Sequence, residues 1–205
     1  GGALYSTWLD RDVSFAGRVL VRTSEGLVPK LVNLSELVLR VPNLAIHLNR
    51  GVNDSLVLNA QQHLVPVVGL GDRNFSLRDV LARALAKDGV QIAPDSVLGW
   101  DLSMYTLEPS RVAGLSGEFL FAPRIDNLAG CHGALSALIA ATGPRPETRG
   151  MVLFDHEEVG SQSARGAGSL LLRTMLTRIL EAYGAPSESR LARAVSRSML
   201  LSSDM

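Results

Sequence analysis

Two glutamates stand side by side in FDHEEVGS, residues 154–161, directly after the apolar run MVLF at 151–154. Adjacent carboxylates repel, and burying either one unpaired is costly. A divalent cation removes that cost, because hard carboxylate oxygens bind Zn²⁺, Mn²⁺ or Mg²⁺ well. Neighbouring side chains at a strand end point in different directions, so one glutamate can hold metal while the other faces a substrate as a base. The plain alternative is a solvated loop tip carrying two acids. Two more carboxylates stand at element ends: Asp126 before a helix in RIDN, and Asp204 after SMLLSS. Taken singly, Asp126 reads equally well as a helix-capping acid and Asp204 as a strand-exit turn. The segment GSQSARGAGS at 160–169 lets the backbone pass close to a ligand or metal. It lacks the spacing and the lysine of a phosphate-cradling GxxxxGK[ST] loop, which argues against metal-dependent phosphoryl transfer.

The elements that must position these acids change character along the chain. From about residue 114 helix and strand patterns alternate. NLAGCHGALSALIAAT at 127–142 places Leu128, Cys131, Leu135, Leu138 and Ile139 at helical spacing, and MVLF is a short continuous apolar strand. LLLRTMLTRILEAYG at 170–184 is a second amphipathic helix, and LARAVSRSMLLSSD at 191–204 reads as helix then strand. That order predicts an α/β layer with a mostly parallel sheet, in which chemistry gathers beyond the carboxyl ends of the strands. Residues 1 to about 113 instead read as strands and turns. VSFAGRVLVR at 13–22 and NLAIHLNR at 43–50 alternate, and SVLGWDLSMYTL at 96–107 does so loosely. One helix interrupts them at 76–89. Ser76 caps it, Leu77, Val80, Leu81, Ala84 and Leu85 share a face, and Gly89 ends it. The predicted division is a β-rich domain over 1–113 and an α/β domain over 114–205.

Composition narrows the function. Lys plus Arg equals Asp plus Glu at 20 each, so the formal net charge is zero and no electrostatic footprint for nucleic acid or an anionic membrane is present. Hydrophobic residues make up 46% of the 205, enough for a globular core. Cys131 is the single cysteine and forms no internal disulfide, which fits a reducing compartment such as the cytoplasm. The longest uncharged run, 127–144, carries Asn, Cys, His, Ser and Thr, and reads as a buried amphipathic helix rather than a membrane span. Both ends read as cuts in a longer chain.

RIDNLAGC, FDHEEVGSQSARGAGS and LLSSDM, in that order, resemble the aspartyl aminopeptidases, dinuclear-zinc metallopeptidases of the cytosol. The opening GGALYSTWLDRDVSFAGRVLV and the central VPNLAIHLNR resemble that family as well, so the likeness runs through nearly the whole chain. It implies a metallo-aminopeptidase catalytic layer with an inserted β-rich dimerisation domain. It implies two divalent metal ions, Zn²⁺ first, with Mn²⁺ or Co²⁺ as alternatives. Residue by residue, Asp126 matches the aspartate bridging the metals, Glu158 a ligand of one and Asp204 a ligand of the other. Glu157 matches the general base. His47 matches a histidine that reaches a neighbouring subunit's active site. On the residues alone His47 is an ordinary surface histidine, set opposite Leu44, Ile46 and Leu48 by strand alternation.

The resemblance also implies peptide substrates with N-terminal Asp or Glu, and dimers that assemble into a dodecamer. It calls for two histidine ligands outside this segment, so the chain alone is expected to be inactive. His132 reads as a helix-packing residue, His156 as a local support, and His63 has no role. Arg11, Arg124 and Arg165 are candidates for an acidic-side-chain pocket. Two alternatives stay open. One is the related glutamyl-type aminopeptidase family, whose first motif reads Asp-Asp where this chain has Asp126-Asn127. The other is a catalytically inactive scaffold or assembly module with the same fold.

Overall fold

The computed structural model describes residues 2–71, 75–184 and 188–204. It divides into two compact units, Leu4–Pro123, and Arg124–Met205 together with Gly1–Ala3. The change of pattern expected near residue 113 falls within a short hairpin over 111–121, and the unit boundary lies after Pro123.

The Leu4–Pro123 unit is built around β1 (Asp12–Thr23), the strand with the clearest alternation. On one side it pairs antiparallel with β2 (Gly26–Asn33), Val19 opposite Lys30. On the other it pairs with β4 (Val97–Thr106), Val19 opposite Trp100, and the register slips between Leu20 and Val21. The two-residue β3 (Leu39–Arg40) pairs with the start of β1. A four-residue helix α1 (Ala60–His63) precedes α2 (Leu77–Lys87), and β5 (Arg111–Ala113) pairs with β6 (Phe119–Phe121) in the hairpin.

Alternation in β1 turns Val19 and Val21 to one face, where they meet Val32, Val97, and Leu81 and Leu85 of α2. Val19, Val21, Leu81 and Val97 are fully enclosed. Eleven residues of helix are marginal alone, whereas each buried leucine contributes about 1.5–3 kcal/mol. Packing therefore decides that α2 forms. Its ends follow from local chemistry: Ser76 Oγ accepts from Asp79 N at 3.3 Å, and Gly89 takes φ +81° just past the helix. Among the described residues Ser14 is the buried polar side chain of this unit, and it donates to the Leu34 carbonyl at 2.5 Å.

The Arg124–Met205 unit holds α3 (Ile125–Ala140), α4 (Leu171–Ala182) and α5 (Glu188–Ser196). An ion pair of Arg173 with Glu188 links α4 to α5. Among its described residues Leu191 is the buried large apolar side chain, while Leu128, Leu135 and Ile139 of α3 and Met175 and Ile179 of α4 stay exposed.

The class is α/β, helices together with sheets, as expected. Three local expectations are corrected. The strand ladders of the described residues are antiparallel, and the mostly parallel sheet is not formed among them. MVLF at 151–154 and residues 198–204 have no ladder partner and are not strands, since a strand exists only through its neighbour's hydrogen bonds. NLAIHLNR is not a strand either. Its chain turns at residues 46–48, where Leu48 N bonds the Ala45 carbonyl at 2.8 Å, and Leu44, Ile46 and Leu48 are all exposed.

Candidate active site

Asp126 stands at the entrance of α3. Arg124 takes the left-handed conformation at φ +59°, Asp126 and Asn127 have non-helical dihedrals, and the Asp126–Asn127 peptide bond is cis. Regular helix follows, so the exposed carboxylate lies at the positive end of the helix dipole. Asp126 is not at the cap position, which Arg124 occupies without a side-chain cap bond.

The next residue, Asn127, is half-buried. Its Nδ2 donates to the Ser203 carbonyl at 2.6 Å, joining the start of α3 to the segment that carries Asp204. Its Oδ1 is enclosed and has no hydrogen-bond partner among the described residues. Gly130, one turn on, underlies this amide: a Cβ there would collide with Asn127 Oδ1 and lie 2.9 Å from Ser203 Oγ. Asp204 itself is exposed.

Glu157 and Glu158 lie in a single 3₁₀ turn, Glu157–Val159, rather than at a strand end. Successive side chains in such a turn diverge by about 120° because it has three residues per turn. The two carboxylates therefore point apart, which the strand-end argument anticipated for a different reason. His156, Gly160 and Ser161 take positive φ around them. The loop is laced from within. Ser161 N bonds the His156 carbonyl at 2.9 Å, Asp155 N bonds the Arg165 carbonyl at 3.2 Å, and Gly168 N bonds the Ser161 carbonyl at 3.0 Å. The His156 Nδ1 hydrogen-bonds Ser163 Oγ, so His156 supports the turn locally, as expected. Glu158 Oε2 accepts from Gly2 N at 2.7 Å.

His47 belongs to the other unit and is exposed in the turn at 46–48. Asp10 anchors the chain entering that turn, accepting from Asn43 N at 3.0 Å and Asn43 Nδ2 at 2.8 Å. The backbone N–H of Asn43, with its side-chain amide, holds the Asp10 carboxyl below the usual carboxylate range. His63 acquires a role that the sequence did not give it. Its Nδ1 accepts from Asn59 N at 2.9 Å, while Asn59 Oδ1 caps the short α1 helix. His132 is exposed on α3 rather than packed. Arg11 pairs loosely with Glu108 at 3.9 Å.

The structure thus brings the Asp126 and Asp204 segments into contact through their neighbours, and sets Glu157 and Glu158 on one turn of the same unit. Among the described residues no group of three or more His, Cys, Asp or Glu side chains converges as a metal-holding cluster. The donor chemistry of Asp126, Glu158 and Asp204 suits a divalent cation, since all are hard oxygen ligands. Beside Asp126 in sequence, Asn127 Oδ1 is enclosed and unpartnered among the described residues. Asn127, Gly130 and Ser163 escaped the sequence reading; only the RIDNLAGC motif pointed towards the first two. No helix among the described residues is long and apolar enough to cross a membrane.

Comparison with known proteins bears on this arrangement. The chain is 40% identical to a probable M18 family aminopeptidase 2 of Pseudomonas putida, over all of this chain and 46% of that protein. It spans about half the length of the curated relatives it matches. Among solved structures, a chain of the cryo-EM structure of the Ape4 and Nbr1 complex superimposes with a TM-score of 0.73 at 34% identity, covering 88% of this chain and 38% of the other. A dodecamer of mApe1 from S. cerevisiae gives a TM-score of 0.61 at 25% identity, covering 86% of this chain and 40% of that one. The family described as Aminopeptidase I zinc metalloprotease (M18) matches residues 1–205, the whole of the sequence. With its acids carried on α3, the Glu157–Val159 turn and the 198–204 segment, the chain belongs to that family of M18 zinc metalloproteases.

Proposed function

We propose that the natural-length protein is a zinc aminopeptidase that removes N-terminal acidic residues, Asp or Glu, from peptides. The observation that carries the reading is the bond from Asn127 to the Ser203 carbonyl, which draws together two separate carboxylate-bearing segments in a chain of this family. Asp126 and Asp204 flank that contact and, with Glu158, would hold two metal ions, Asp126 bridging them. Zinc bound there would act as a Lewis acid and bring the pKa of water down towards about 7. Glu157 diverges from Glu158 on the same turn, free to accept the proton of the attacking water and hand it to the leaving amine. His47, exposed on its turn, would act in the site of a neighbouring copy as a donor to the developing oxyanion.

In this reading residues 1–113 form the inserted dimerisation domain and 114–205 part of the catalytic domain, in a cytoplasmic protein assembled as dimers and then as a dodecamer. The relative from S. cerevisiae is a dodecamer, which supports the assembly. The test is zinc content and cleavage of Asp- and Glu-initiated peptides by the natural-length protein. About two zinc ions per subunit with cleavage of acidic N-termini supports the reading. Neither zinc nor cleavage sinks it and leaves an inactive scaffold. Equal cleavage of neutral N-termini removes the acidic preference alone.

A further inference from the structure

We propose that Asn127 is a positioning residue that fixes the spacing between Asp126 and Asp204. The proposal rests on the metal assignment above for its consequence, and on geometry for its existence. Asn127 and Ser203 are 76 residues apart in sequence, so their bond is no local cap or turn. Each is the covalent neighbour of one proposed ligand: Asn127 follows Asp126, and Ser203 precedes Asp204. Among the described residues no other hydrogen bond reaches residues 199–204, which have no ladder partner and whose Met199, Leu200 and Leu201 are exposed. Among the described residues this amide is therefore the one hydrogen bond that ties the segment carrying Asp204 to the start of α3.

The chemistry of the amide is specific. A carbonyl only accepts, so Nδ2 must face Ser203, and this forces Oδ1 into its enclosed position without a partner. An isolated acceptor in such a place is unfavourable, and it persists only because the donor side of the same group is fixed. The floor of the slot is Gly130, where even a methyl group would strike Oδ1. An aspartate at position 127 would face the Ser203 carbonyl with an acceptor and could not make the bond at neutral pH. Leucine would match the shape and lose the donor.

The experiment compares wild type, Asn127→Leu and Gly130→Ala in the natural-length protein. Zinc affinity is measured by competition with a chromophoric chelator. Hydrogen exchange of a peptide spanning 198–204 is followed in the metal-free protein, and kcat is measured with and without excess zinc. Loss of an outer partner of a metal ligand typically weakens metal binding by about 10–100-fold. Both substitutions should weaken zinc by about tenfold or more on that scale. They should speed exchange at 198–204 by about tenfold as local opening becomes easier. Excess zinc should restore much of kcat. Because zinc also stabilises the folded state by mass action, the thermal unfolding of the metal-free variants is compared with wild type to separate positioning from poor folding. Wild-type zinc affinity together with unchanged exchange in both variants overturns the proposal. If wild type binds no zinc but the variants still exchange faster, the positioning contact stands and the metal assignment falls.

Discussion

At the scale of single residues, the glutamate pair resolves into two environments. Glu158 accepts a backbone N–H from Gly2, whereas Glu157 points away along the same 3₁₀ turn. If Glu157 is the base, Glu157→Gln in the natural-length protein removes proton transfer but no metal ligand. The expected result is a fall in kcat of about 10²–10⁴-fold, the usual worth of general acid–base catalysis, with zinc content unchanged. Activity within a few-fold of wild type would remove Glu157 from the mechanism. The pair stood out in the sequence because two adjacent acids follow an apolar run, although Val152 and Leu153 of that run are exposed in the structure. Asn127 was not legible in the same way. An asparagine after an aspartate at a helix start is ordinary turn chemistry, and a bond spanning 76 residues leaves no periodic trace. Only the fold reveals that its partner is the neighbour of Asp204.

At the scale of elements, local chemistry was readable and long-range pairing was not. Ser76, the apolar face and Gly89 bounded α2 almost to the residue, because capping and period are written within a dozen positions. Leu81 is fully enclosed between that helix and the sheet. Leu81→Ala should destabilise the Leu4–Pro123 unit by about 2–5 kcal/mol, measured by denaturant unfolding of the natural-length protein followed through Trp100. A cost under about 1 kcal/mol would mean the site collapses around the smaller side chain. In NLAIHLNR the alternation was real, but alternation does not supply a neighbouring strand, and the segment turns instead. The contact that holds its start, Asp10 to Asn43, carries a pH signature. The folded carboxyl titrates below its ordinary value of 3.8, so its contribution is fully present above that pH. It is lost as the pH falls from 3.8 through the lower folded value. Thermal unfolding should therefore show a gap between wild type and Asp10→Ala at pH 6 that closes near pH 2. A gap of the same size at both pH values would mean that the carboxylate's charge is not what holds Asn43.

At the scale of the whole molecule, the two units differ in how much of themselves they bury. Leu4–Pro123 encloses a valine and leucine core, while the helices of Arg124–Met205 leave apolar faces exposed. That contrast was invisible in the sequence, because periodicity reports a face and not what covers it. The proposed acids lie on the second unit and His47 on the first. If His47 serves a neighbouring copy, the two functions belong to different subunits, and this can be tested without locating the contact. His47→Ala and Glu157→Gln proteins should each be nearly inactive as pure assemblies. A mixed assembly contains sites that combine an intact Glu157 from one parent with an intact His47 from the other. Random pairing at equal amounts makes half of the dimers mixed, each with one complete site, so activity should recover to about a quarter of wild type in a symmetric dimer. Recovery would place His47 in trans. No recovery, with exchange of subunits verified by mass, would return His47 to the role of a surface histidine or of a residue acting within its own subunit.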